Sequence, residues 1–286
     1  MDDQTRPRTI LAGVELKVTT YEVAAGVATV TLTRPPHNSW SGRMHQEYCV
    51  CLAEADRDPS VGAIVVTGAG RSFCVGADSR ALDRQTEKTD YDPGVTQADL
   101  PRAGYGLDPE YDELFAYHFG ILKPIVAAIN GPVAGVGLVV ACFCDVRFAA
   151  EGAKITVATP KLGLPAEYGL SWLLPRIMGL GRAADLLFSS RVVLAEEAEH
   201  LGLVNRVCPA DELLSAVLGY AGDLANRMSP AALREIKRQL YADQHRGVGA
   251  SVRDSAATTD QLMKGPDFRE GVSAWLEKRP PRFSRD

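Results

Sequence analysis

The 286-residue chain carries 46% apolar and 23% charged side chains, the balance of an ordinary globular protein with room for one large core, or a core plus an appendage, and no need of covalent staples. A net charge of −5 and a pI near 5.6 exclude a general basic field for nucleic acid or an anionic membrane surface, so a phosphate-bearing ligand has to be held by a few local cations. Cys49, Cys51, Cys74, Cys142, Cys144 and Cys208 are scattered through apolar stretches with no His pair at ligand spacing; they read as reduced core thiols, and no metal is expected. The start, MDDQTRPRTI, has no long apolar stretch behind a basic segment, and nowhere do about 18 uncharged apolar residues run together. A cytoplasmic protein without membrane association is expected.

From Thr19 to Thr33 apolar and polar residues alternate around Gly26, which predicts a hairpin closed by Arg34-Pro35-Pro36. Met44, Tyr48, Cys51, Leu52 and Ala55 make one apolar stripe, predicting a helix over Ser41–Asp56. The run Gly62–Thr67 is a buried strand feeding the glycine turn Gly68-Ala69-Gly70. Residues 82–112 lack any apolar period and are rich in Asp, Gly and Pro, the mark of a long functional or disordered loop. A helix over Leu114–Leu122, a strand over Pro124–Ile129, a turn at Asn130-Gly131-Pro132, an apolar helix over Gly135–Cys144 and strands at Val146–Ala149 and Lys154–Val157 follow, an α/β layered core. Beyond Leu180 the pattern turns to amphipathic helices at Arg182–Ser189, Ala195–Leu201, Asp211–Met228, Pro230–Tyr241 and Asp267–Glu277, with Ser229-Pro230 as a cap and first-turn proline.

Two glycine turns carry the chemistry. Val65-Val66-Thr67-Gly68-Ala69-Gly70 fails as a dinucleotide fingerprint because Phe73 stands at its third glycine. The run Gly70-Arg71-Ser72-Phe73-Cys74-Val75-Gly76-Ala77-Asp78 instead resembles the crotonase segment G-[KR]-x-F-[CS]-x-G-[AG]-D. Lys123 to Leu138, KPIVAAINGPVAGVGL, is similar to the same family's K-P-x-I-A-A-[IV]-N-G-x-[AC]-x-G-[GA]-G. Physically, this second segment is a strand delivering the chain to a glycine-lined helix start, whose unpaired N–H groups and positive dipole end favour an anion. The likeness spans Tyr21 to Phe283.

The resemblance to the crotonase (enoyl-CoA hydratase/isomerase) superfamily implies an α/β fold, a Clp-type spiral of β–β–α units in two roughly perpendicular sheets over residues 1–205. It further implies a helical C-terminal region over 206–286 that assembles a homotrimer or dimer of trimers. The backbone N–H groups of Ala77 and Val136 would form an oxyanion hole for the thioester of an acyl-CoA or enoyl-CoA substrate. No separate cofactor is implied, since coenzyme A arrives with the substrate. Arg71 and Arg80 flank the first turn as the family's phosphate-binding cations do, with the Val75 backbone beside the adenine; both arginines read equally as surface charges.

Hydratases of this family carry two glutamates, a pair suited to activating water and supplying a proton. Those positions are Val139 and Lys161 here. A carboxylate stands six residues after Lys161, at Glu167 in the segment Pro165-Ala166-Glu167-Tyr168-Gly169, within a loop that in the family approaches the acyl chain. Glu167 is the candidate base, its competing reading being a solvated glutamate near a helix start. His118 reads as a packed residue before a catalytic one, and Asp78 as a helix cap. The function expected is enolate chemistry on an acyl-CoA, of hydratase or isomerase type; the alternative is an acyl-CoA-binding homologue without turnover. A serine peptidase on the related fold is disfavoured because Leu138 and Val139 offer no nucleophile.

Overall fold

The computed structural model describes residues 9–77 and 103–284. Strands β1 (Ile10–Leu11) and β2 (Val14–Glu15) form a small antiparallel pair. β3 (Thr19–Ala24) and β4 (Val27–Leu32) make the expected hairpin, in register from Thr19 opposite Leu32 to Ala24 opposite Val27. Its two turn residues, Ala25 and Gly26, both have positive φ, 48° and 80°, the geometry that matches the twist of paired strands.

Helix α1 (Gly42–Arg57) follows, capped by the Ser41 hydroxyl accepting from the Met44 amide at 3.2 Å. It leads into β5 (Ala63–Gly68) and, after the long intervening segment, β6 (Ile125–Ile129), β7 (Val133–Ala134), α2 (Val136–Phe143), β8 (Val146–Ala150) and β9 (Lys154–Thr156). Then come α3 (Leu170–Met178), α4 (Leu180–Ser189), β10 (Val193–Leu194), α5 (Ala195–His200) and β11 (Arg206–Cys208). The chain ends in α6 (Leu213–Arg227), α7 (Pro230–Ala242), α8 (Val248–Leu262) and α9 (Pro266–Leu276).

The strands fall into a six-stranded sheet, order β11-β8-β6-β5-β4-β3, and a three-stranded sheet, order β10-β9-β7. From β4 to β11 the large sheet is parallel, and a parallel sheet needs both faces covered. Successive residues show how. Ile64, Val66, Ile125, Ala127 and Ile129 point into the main core with α1 and α2, whereas Ala63, Val65, Val126 and Ala128 point into a second cluster roofed by Leu213, Val217, Ala221 and Ala225 of α6. This period of two is the strand's own. Thus β11 and α6, beyond residue 205, complete the sheet and one of its faces. All six cysteines are buried free thiols.

Three features differ from the sequence reading. Over Leu114–Leu122 the chain makes only a 3-10 turn, Ala116–Phe119, entered through Phe115 with φ 65°. Phe115, Tyr117, His118 and Phe119 are all buried, so the run has no solvent face for an amphipathic helix, and Gly120 is pressed against Gly104 so closely that a Cβ would lie 1.9 Å from the Gly104 carbonyl oxygen. Helix α3 was masked in the sequence by Pro175 inside it, and α8 by its lack of an apolar stripe: none of its residues is buried. Of the expected loop over residues 82–112, residues 82–102 lie outside the described ones; Pro109–Tyr111 is a short 3-10 turn capped by Asp108.

Candidate active site

The two glycine turns lie side by side because three chain segments pair there in a miniature ladder. Val75 donates to the His37 carbonyl (3.3 Å) and Trp40 to the Gly76 carbonyl (2.7 Å) on one side; Phe73 donates to Pro132 (3.2 Å) and Ala134 to Cys74 (3.0 Å) on the other. Bridges Trp40–Ala77 and Cys74–Val133 result. Two asparagines lock the ladder. Asn38, wholly buried, donates to the carbonyls of Ala69 (2.9 Å) and Ser72 (2.7 Å); Asn130 accepts from the Gly68 amide (3.1 Å) and donates to Gly70 (3.0 Å). Sequence reading placed Asn130 only in a turn and gave Asn38 no role, although each adjoins a turn motif and an asparagine can both donate and accept there.

The glycines are required by close approach as much as by φ. A Cβ on Gly131 would sit 2.0 Å from the Arg71 carbonyl oxygen, and one on Gly137 would sit 2.1 Å from that of Cys74. Gly76 and Gly135, with φ 93° and 51°, face each other, a Cβ on Gly135 lying 3.6 Å from the Gly76 Cα. Immediately after them come the amides of Ala77 and Val136. Val136 opens α2 with Gly135 as its cap residue, so its N–H has no helical partner; neither amide donates to another described residue.

Glu167 reaches this same place. Its Oε2 would be 3.2 Å from a Cβ on Gly135, and it is buried with no hydrogen-bond partner among the described residues. Burial raises its pKa above the ordinary glutamate value of 4.5. The carboxylate therefore does not cap α3: the cap residue is Gly169, and no α3 amide reaches the Glu167 side chain. Glu47 shows what a structural carboxylate in this protein looks like. Fully buried where Glu167 is only half-buried, it accepts from the amides of Lys17, Val18 and Thr19, the Thr19 hydroxyl and the Arg43 guanidinium, at 2.6 to 3.0 Å.

His118 is a packed residue. Its Nε2 pairs with the Tyr48 hydroxyl at 2.8 Å and its Nδ1 with the Phe115 carbonyl at 2.6 Å, and burial lowers its pKa to about 3. Val139 is fully buried in α2, and Lys161 is exposed. Arg71 is exposed beside the first turn and makes no ion pair with a described residue; Val75 is half-buried. Arg80 and Asp78 lie outside the described residues. No group of three metal-ligating side chains occurs among the described residues, and none of their helices is long and apolar enough to cross a membrane.

A mixed α/β core in which two glycine turns meet beside the Glu167 carboxylate, followed by C-terminal helices, is a crotonase-type fold. Comparison bears this out: the enoyl-CoA hydratase/isomerase family model matches residues 22–286, and the chain belongs to that family. It is 32% identical to the 1,2-epoxyphenylacetyl-CoA isomerase of Escherichia coli over 92% of this chain and 96% of that one. A putative enoyl-CoA hydratase of Thermus thermophilus is 34% identical over 90% and 97% of the two chains. The crystal structure of a probable enoyl-CoA hydratase/isomerase from Mycobacterium abscessus superposes with a TM-score of 0.80 at 29% identity, covering 93% of this chain and 98% of that one.

Proposed function

We propose that this chain is an enoyl-CoA isomerase-type enzyme that works through a thioester enolate with Glu167 as its one acid–base group. The observation that carries this reading is the buried Oε2 of Glu167 beside Gly135, without a hydrogen-bond partner among the described residues, next to two amides that donate to no described residue. With the thioester oxygen between the N–H groups of Ala77 and Val136, Glu167 takes a proton from one end of a three-carbon unit. The electron pair moves onto the carbonyl oxygen, and the same carboxyl returns the proton at the other end as the double bond shifts. No atom is gained or lost, so one base suffices. The charge that develops on oxygen meets donors already in place, each worth roughly 3–4 kcal/mol in such sites. Val139 and Lys161 stand where the family's hydratases carry their acids, which favours proton relocation over water addition.

Arg71 and Arg80 are proposed to meet the coenzyme A phosphates, with Val75 along the nucleotide. The exposed apolar side chains of the C-terminal helices, Trp275 and Leu276 among them, support a homotrimer or dimer of trimers.

Glu167→Gln keeps the shape of the side chain and removes its basicity. Turnover of 3-enoyl-CoA substrates, and deuterium exchange from heavy water into bound thioester, should fall by about 10²–10⁴-fold, with coenzyme A affinity nearly unchanged. Wild-type exchange persisting in the variant would remove Glu167 from the mechanism. A wild type that binds acyl-CoA without exchange would establish the binding-protein reading instead.

A further inference from the structure

A cavity of about 170 Å³ lies at the other end of α2 from the glycine turns. Its lining includes Cys144, which ends α2, Arg147 of β8, Leu173 and Arg176 of α3, and Phe119 and Tyr241. Eight helical residues separate Val136 from this end, roughly 12 Å along the axis, so the cavity is distinct from the place where Glu167 meets Gly135. Arg147, Cys144, Leu173 and Phe119 are buried, whereas Arg176 is exposed. The cavity thus has a buried floor and a rim that reaches solvent.

The charges around it do not balance. Asp145 is the only acid in the lining, and it is already engaged by Lys237 (2.8 Å), the Tyr241 hydroxyl (2.6 Å) and the Ile125 amide (2.6 Å). Arg147, only 6% exposed, donates from Nε to the Leu203 carbonyl (2.8 Å) and from Nη1 to the Cys144 carbonyl (2.7 Å). Its Nη2 donates to no described residue, and no described carboxylate pairs with it. The carbonyls that end α2 offset part of this charge, yet a guanidinium withdrawn from water is costly unless an anion accompanies it. Arg176 lies with its guanidinium carbon 3.9 Å from the centre of the Trp172 ring and donates to the Trp172 carbonyl at 3.0 Å. It too makes no ion pair with a described residue.

We infer that this cavity is a second ligand site, and that its ligand is a small carboxylate with a compact apolar body, held by Arg147 at the floor and Arg176 at the rim. A guanidinium presents a planar fork of donors that matches a carboxylate, and Phe119 and Leu173 supply apolar wall for the rest of the molecule. A cavity of about 150 Å³ accommodates a benzene ring, which sets the size of that body. The inference stands apart from the enolate reading, since neither arginine touches Glu167 or the two glycine turns.

Benzoate is the probe and benzamide its uncharged isostere. Titration calorimetry on the full-length wild-type protein should show benzoate binding at one site per chain, about tenfold or more tighter than benzamide, and within about twofold of the same affinity when coenzyme A is saturating. Arg176→Gln, at an exposed position, should weaken benzoate about fivefold or more and leave benzamide within about twofold. Arg147→Met should erase the preference for benzoate; should that variant not fold, Arg176→Gln decides alone. Benzoate binding no tighter than benzamide, unchanged in Arg176→Gln, or displaced by coenzyme A would overturn the inference. Binding that appears only on dilution to the monomer would give the place to a carboxylate of a second copy of this chain and overturn it as well.

Discussion

Every residue of α2, the helix behind the second glycine turn, is buried by this chain's own core, whereas α8 has no buried residue and α9 only Ala274. Between these extremes α7 buries one lysine: Lys237 holds Asp145 at 2.8 Å and the Lys123 carbonyl at 3.0 Å, while Tyr241 donates to the other Asp145 oxygen at 2.6 Å. The glycine turns are held together by described segments of this chain and are fixed by backbone fit. The C-terminal helices are moored to the core at a few polar points and keep apolar faces, such as Val248 and Val252, 81% and 59% exposed, turned to solvent. Backbone fit tolerates nothing; a moored helix tolerates much.

The contrast is broken most severely at Gly137. An alanine there places a Cβ 2.1 Å from the Cys74 carbonyl oxygen, and backbone on both sides must separate. Gly137→Ala should lose about 3 kcal/mol or more in denaturant melts, with the activity of whatever remains folded greatly reduced. Gly219→Ala, in α6 with nothing within 4 Å, should be neutral or stabilising by up to about 1 kcal/mol. A similar loss at both positions would mean that close approach is not what distinguishes the regions.

Next in size is the mooring itself. Lys237 and Asp145 are nearly buried, 5% and 17% exposed, and Lys237→Met leaves the carboxylate with only the Ile125 amide and Tyr241. Removing one partner of such a pair costs about 3 kcal/mol. Protease cleavage within α7 and α8 at unchanged core protection would show the arm detaching as a unit.

The ring-rich core around α1 gives a third test through pH. Burial lowers the pKa of His45 to about 4 and of His118 to about 3, against 6.5 when exposed. Both folded values lie below the unfolded one, so the stability from keeping them neutral is present above pH 6.5 and drains away as pH falls toward 4, by up to about 1.4 kcal/mol per pH unit for each group. Melts between pH 7 and 5 should show this slope. His118→Phe, destabilised at every pH by the loss of the Tyr48 partner, should flatten it.

The smallest effect on a single chain is expected at Val252→Asp. With the side chain 59% exposed, the monomer's stability should change by about 0.5 kcal/mol or less, while sedimentation should shift from the proposed trimer toward monomer. An unchanged sedimentation coefficient would place the assembly surface elsewhere.

Much of the core was legible in the sequence. The hairpin around Gly26, the largely apolar strands β5 and β6 and the helix start at Val136 all follow from periodicity and glycine placement, because a strand buried on both faces and a turn with positive φ each restrict residue type locally. The segment 114–122 was not legible. Its aromatic run fits a helical period as well as a 3-10 turn, and only contact with Trp40, Tyr168 and Gly104 decides between them. Glu167 was visible as a lone carboxylate in a loop, with a solvated or helix-start role equally open; its buried Oε2 beside Gly135, in contrast with the fully satisfied Glu47, is a property of how distant segments meet.

Sequence by itself determined the family, the two turns and the main strands and helices of the core around them, since those depend on residue type and spacing along the chain. Tertiary structure alone decided which buried carboxylate oxygen has no partner among the described residues, that Asn38 and Asn130 lock the turns together, that β11 and α6 belong to the sheet, and which helical faces remain uncovered. Hydrogen-bond satisfaction and burial are set by neighbours tens to hundreds of residues away along the chain, and a one-dimensional pattern holds no record of which neighbours arrive.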